Sequence, residues 1–177
     1  MAKVKGTKAL NKAISAELAP FGISEAKCTN EYSYLFDKEM VTFKLTEGTT
    51  EDLWFTEFIK ERFNYDVRFP FVISLLHEVG HHKANDEIDG AIYDFCMAEK
   101  ERISEEMQTA DAEQSKKLEW QYFNLPDEIM ATQWAVAYAK AHPRKVKKMW
   151  LKMQSALMEF YKKNGVLDGF DLEEKDN

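Results

Sequence analysis

The chain is short of cysteine, of proline and glycine, of long apolar runs and of positive charge, and each shortage excludes a class of protein. Two cysteines among 177 residues, Cys28 and Cys96, are too few for a disulfide framework or a cysteine-based zinc knuckle. A reduced, cytoplasmic location is the simple reading of so few thiols. Four prolines and seven glycines leave no linker-like stretch, and no internal repeat or low-complexity block is evident. One domain over residues 1–177 is therefore expected, long enough to enclose a real core. No apolar run could span a bilayer, and the basic start MAKVKGTKALNKAISAELAP lacks the continuous apolar stretch of a signal peptide. No membrane association is expected. Lys and Arg number 24 against 31 Asp and Glu, a formal net charge of −7. This balance argues against a nucleic-acid-binding face.

What is present is mostly helical patterning. Leu10, Ala13, Ile14 and Leu18 follow helical spacing over residues 7–19, and Pro20 closes the segment. Two runs rich in aromatic and β-branched residues, Tyr32 to Phe36 and Met40 to Leu45, suggest a hairpin. Thr50 reads as the N-cap of a helix reaching Phe63, and Asn64 to Phe69 as a connector or short strand. The run FVISLLHEVGHH from Phe71 is apolar on nearly all sides until its histidines, as a helix in the middle of a domain would be. Further helices are expected from Asp86 to Met107, from Pro126 to about His142, and from Val146 to Lys163. Asn164-Gly165 supplies a stop signal, and the acidic tail 171–177 is expected to fray. The fold class is α+β: mostly helical, with a small sheet near the N-terminal half.

The chain has four histidines, and three of them stand in HEVGHH at positions 77 to 82. On a helix, His77 and His81 fall on one face one turn apart, where both imidazoles can share a metal ion. Glu78 lies too far round the helix to complete that ligand pair, but it can reach a water bound to the metal. Zinc brings such a water to a pKa of about 7, and a carboxylate can take its proton as it attacks a carbonyl. The same carboxylate can return the proton to the leaving amine. The bland reading is a solvated helix end without metal. Polar groups on an otherwise buried helix would then need other partners.

The segment SLLHEVGHH resembles the active-site helix of zincin metallopeptidases. Downstream, LPDEIMATQWAVAYAKAHP is similar to the third-ligand helix of the small ImmA/IrrE-like metallopeptidases of bacteria, phages and other mobile elements. The likeness runs over roughly residues 70 to 143. It implies Glu128 as the third zinc ligand, followed by Ala131, Trp134 and Ala135, and a small sheet packed on the active-site helix. It also implies a zinc cofactor and a protein or peptide substrate. The metzincin pattern is broken, because Ala84 and Glu87 stand where it requires Gly and His. Glu87 remains a competing third ligand on spacing alone. Thr132 stands where thermolysin-like enzymes place an Asp. No helix-turn-helix pattern marks a repressor-linked form.

Other residues are open to two readings. Asp86 and Asp89 could orient an imidazole or cap the next helix. His82, Tyr93, Tyr122 and Tyr138 could stabilise a transition state or simply pack. Trp54, Phe55 and Phe58, like Trp134 and Tyr138, read as core. The basic run from Lys145 to Gln154 reads as a solvated helix face. The expected function is zinc-dependent peptide hydrolysis with Glu78 as general base. The alternatives are a catalytically silent zinc protein of a phage or mobile element that acts by protein contact, and a purely structural zinc site. Oligomeric state is not legible.

Overall fold

A computed structural model describes residues 7–29, 31–45, 50–84 and 87–163. Helix α1 (Thr7–Leu18) buries Leu10, Ile14 and Leu18, spaced four apart along one face. A 3-10 turn at Ala19–Phe21 contains Pro20, and Gly22 leaves it at φ +94°. The chain then enters a strand that the sequence pattern did not reveal, β1 (Glu25–Thr29). Its residues EAKCT are mostly polar and only Ala26 is fully buried, so neither alternation nor β-propensity marks it. The expected hairpin is present as β2 (Ser33–Leu35) and β3 (Met40–Lys44), paired antiparallel. β1 pairs parallel to β3, giving the order β1-β3-β2.

The two edges of this sheet differ. On β1, the Ala26 N–H donates to Ser15 Oγ at 2.8 Å and the Cys28 N–H donates to Asn11 Oδ1 at 3.0 Å. Helix α1 thus covers that edge with its own side chains. β2 is the opposite edge.

Six helices follow: α2 (Thr50–Phe63), α3 (Pro70–Ala84), α4 (Gly90–Met107), α5 (Ala112–Phe123), α6 (Pro126–Ala141) and α7 (Pro143–Lys163). The architecture is α+β and mostly helical. Asn64–Phe69 is a connector without strand. Helix α3 is buried continuously from Val72 to Gly80, packs on α6, and touches β2, β3 and α7. The small sheet therefore lies against the helix that carries the histidines. Among the described residues, no helix is long and apolar enough to cross a membrane.

Three boundaries differ from the sequence reading. Helix α4 begins at Gly90, because the Asp89 carboxylate accepts from the Ala91 N–H and caps it there. The polar stretch after Met107 contains a separate helix, α5, capped by Asp111 accepting from the Gln114 N–H. Helix α7 begins at Pro143 rather than Val146, since proline's fixed φ suits a first helical turn as well as it ends the helix before. Asp86, the stop signal at Asn164-Gly165 and the tail 171–177 lie outside the described residues. In α7, Val146, Met149 and Met153 are buried while Lys145, Lys147, Lys148 and Lys152 are exposed, so its basic side is a solvated face.

Candidate metal centre

Helices α3 and α6 cross at Gly80 and Ala131. A Cβ on Gly80 would stand 2.3 Å from the Ala131 carbonyl oxygen and 2.7 Å from its Cα. Only a glycine allows this approach. His77 lies one turn before Gly80, His81 directly follows it, and Glu128 lies one turn before Ala131. The crossing therefore brings all three to one point. His77 Nε2 is 3.0 Å from Glu128 Oε2, His81 Nε2 is 3.1 Å from His77 Nε2, and His81 Nε2 is 3.4 Å from Glu128 Oε1.

These separations suit a metal ion. Bonds of about 2.0–2.1 Å in tetrahedral array hold ligand atoms about 3.3 Å apart. The group of His77, His81 and Glu128, with His77 and Glu128 buried, could hold such an ion. The other nitrogen of His77, Nδ1, is 3.0 Å from Thr132 Oγ1. Thr132 therefore takes the orienting place, one turn along α6 from Glu128, and fixes which imidazole nitrogen faces the centre.

One ammonium links the two carboxylates at the start of α6. Lys100, from α4, places Nζ 2.5 Å from Glu128 Oε1 and 2.5 Å from Asp127 Oδ2. Burial pulls the pKa of this ammonium down, but Glu128, Tyr122 and Asp127 outweigh it and hold it above the ordinary value. Burial pushes the Glu128 carboxyl up, and His81 and His77 outweigh that and hold it well below the usual carboxylate range. Glu78 is different. Burial, aided by Glu128 and opposed by His77 and Lys100, pushes its carboxyl up to about 7. Tyr122 is raised by burial and by Glu128, so it stays a neutral phenol.

A cavity of about 390 Å³ opens over the centre. His77, Glu78, His81 and Glu128 line it together with Tyr34, Phe55, Tyr93, Met97, Lys100 and Tyr122. Of the residues singled out in the sequence, Tyr93 and Tyr122 therefore face the centre's cavity. Tyr138 instead stacks on Trp134 and meets Phe21 edge-on. His82 shares a 2.6 Å hydrogen bond with the Tyr34 hydroxyl on β2. Asp89 caps α4 and orients no imidazole. Glu87 is exposed, and it is not part of the three-ligand group found among the described residues.

Sequence reasoning missed Lys100, Asp127, Gly80 and the wall position of Phe55. Phe55 is half-buried and meets the His77 ring edge-on at 5.2 Å. Gly80 could have been found, since a lone glycine inside an apolar helix signals close packing. Lys100 carries no local signal at all. No family model, curated protein or solved structure matches this chain.

Proposed function

We propose that the chain is a zinc-dependent peptidase of zincin type, akin to the ImmA/IrrE-like enzymes of phages and mobile elements. The observation that carries this reading is the meeting of His77, His81 and Glu128 beneath a cavity that Glu78 also lines, with Glu78 outside the ligand group. A structural metal site has no use for a buried, unligated carboxylate beside its ligands. The donor set, two imidazoles and a carboxylate, is one that binds catalytic zinc and leaves a fourth position for water. When bound, zinc would supply Lewis acidity and a water ionising near neutral pH.

The chain's own residues account for the rest. Glu78 takes the proton of the attacking water and passes it to the leaving amine. Thr132 keeps His77 turned toward the centre, and Lys100 holds Glu128 by its Oε1 while Oε2 lies beside His77 Nε2. Ser33 and Tyr34 of edge strand β2 line the same cavity. An extended peptide can add to such an edge through its backbone, which suits a protein substrate. The two free cysteines, one half-buried and one buried, suit a reducing, cytoplasmic setting.

Protein purified without chelator is expected to carry about one zinc per chain by elemental mass spectrometry; under about a tenth, with no uptake of added zinc, would sink the metal reading. The zinc form is expected to cleave members of a proteome-derived peptide library, to stop on chelation, and to resume on zinc addition. Full zinc without any cleavage would leave a zinc-containing binding protein. For the third ligand, Glu128→Ala is expected to weaken zinc binding at least about 100-fold in competition with a chromophoric chelator, and Glu87→Ala to leave it within about 2-fold. The reverse order would overturn the ligand set and the likeness to the family.

A further inference from the structure

A second cavity, of about 500 Å³, adjoins the cleft over the metal centre. The two share Tyr32, Lys44 and Ser74 in their walls, so they lie side by side. The second is apolar, lined by Leu53, Phe69, Phe71, Trp150, Leu157 and Met158 from α2, the 64–69 connector, α3 and α7. Leu53 is 62% exposed there, a large apolar side chain left facing water at the rim. Phe69 and Trp150 stack, with ring centroids 6.0 Å apart, and give the groove a firm aromatic wall. Arg68 and Lys44 supply cations at its border.

We propose that this groove is the distal part of the substrate site. It takes a bulky apolar side chain, such as Leu, Met or Phe, of an extended protein segment whose backbone lies over the metal centre. The proposal rests on the peptidase reading. Helix α3 carries residues of both cavities: Ser74 precedes His77 by three residues, about 4.5 Å along the axis, and Phe71 precedes it by six, about 9 Å. An extended chain advances about 3.3 Å per residue. The groove is therefore about one to three residues from the bond under attack. Tyr32, shared by both cavities, leads directly into edge strand β2, so a chain paired with that edge runs toward the groove. Arg68 favours an acidic residue beside the apolar one. The enzyme is thereby suited to internal bonds in a protein segment, because a dipeptide could not reach the far end of the groove at Phe71.

The test uses fluorogenic octapeptide libraries in which Leu or Ala is fixed in turn at each of four positions on either side of the centre. With the zinc-loaded full chain, Leu at one position about one to three residues from the cleaved bond is expected to raise kcat/KM about 10-fold over Ala. In Leu53→Asp and Met158→Asp, each checked for unchanged zinc content, that ratio is expected to fall to about 1. Retention of the same peptides on immobilised Glu78→Gln protein gives a readout that needs no turnover. Cleavage without a distal preference, or with one that both variants keep, overturns the groove and leaves the peptidase reading standing. Groove-dependent retention without cleavage by the wild type supports the groove and overturns the peptidase. Neither cleavage nor retention overturns both. If light scattering shows the wild type to be a dimer that Leu53→Asp dissociates, with peptide selectivity unchanged, the face binds a second copy and the proposal falls.

Discussion

Glu78→Gln is expected to retain the full zinc content of the wild type and to lose peptide hydrolysis by about 100-fold or more, the usual worth of a positioned general base. Gln is nearly the same size, so the packing of α3 should survive. Its amide has no basic oxygen to accept the proton of the attacking water or to hand that proton to the leaving amine. Glu78 stands next to His77 but outside the three-ligand group, so its loss should cost chemistry rather than metal. Two measurements on one preparation separate the effects: elemental analysis for zinc, and kcat/KM on a peptide the wild type cleaves. A variant with normal zinc that keeps more than a few per cent of wild-type turnover would remove Glu78 from the mechanism. A variant that loses the metal would show that Glu78 supports the site structurally instead.

Gly80→Ala should be the most damaging single-methyl change in the helix. The added Cβ would lie 2.3 Å from the Ala131 carbonyl oxygen and 2.8 Å from its carbonyl carbon. Both are backbone atoms, which no side-chain rotation can move aside. Helices α3 and α6 would have to separate by about 1 Å, at a cost of about 3 kcal/mol as in other overpacked cores. The gain in helix propensity from Gly to Ala, about 1 kcal/mol, offsets only part of this. The same separation would carry Glu128 away from the histidine pair, so zinc affinity should fall together with stability. Urea unfolding of the metal-free protein and zinc competition on the folded fraction are the measurements. Gly90→Ala is the control, because nothing lies within 4 Å of a Cβ at that position, and its midpoint should hold or rise slightly. Equal midpoints for Gly80→Ala and wild type would contradict the close crossing.

The parts of the site that were legible in the sequence are those set by local geometry. His77 and His81 converge because a helix repeats every 3.6 residues, whatever packs around it. Continuous apolarity showed that their helix is central, and nine consecutive residues from Val72 to Gly80 are indeed buried. Pro126 stands at a helix start, where the missing N–H costs nothing; Pro143, read as a breaker, opens the next helix as well. The hairpin was legible from its aromatic and β-branched runs. β1 was not, because a short edge strand whose N–H groups are met by Asn11 and Ser15 needs little apolar surface of its own. Helix α5 was hidden for a similar reason: only Leu118 on it is fully sequestered, which leaves too weak a periodic stripe.

The sequence alone therefore determined a mostly helical α+β domain, a histidine pair on a buried helix, and a carboxylate beside it. Tertiary structure decided the rest: that Glu128 rather than Glu87 meets the histidines, that Thr132 turns His77, that Lys100 bridges Asp127 and Glu128, and that a second, apolar cavity adjoins the cleft. The reason lies in the crossing of α3 and α6. Contacts between residues four apart on one helix depend only on the helical repeat. Contacts between residues 77 and 128, or 100 and 127, depend on how closely and at what register separate helices pack. The missing side chain at Gly80, meeting the backbone of Ala131, sets the approach of α3 to α6.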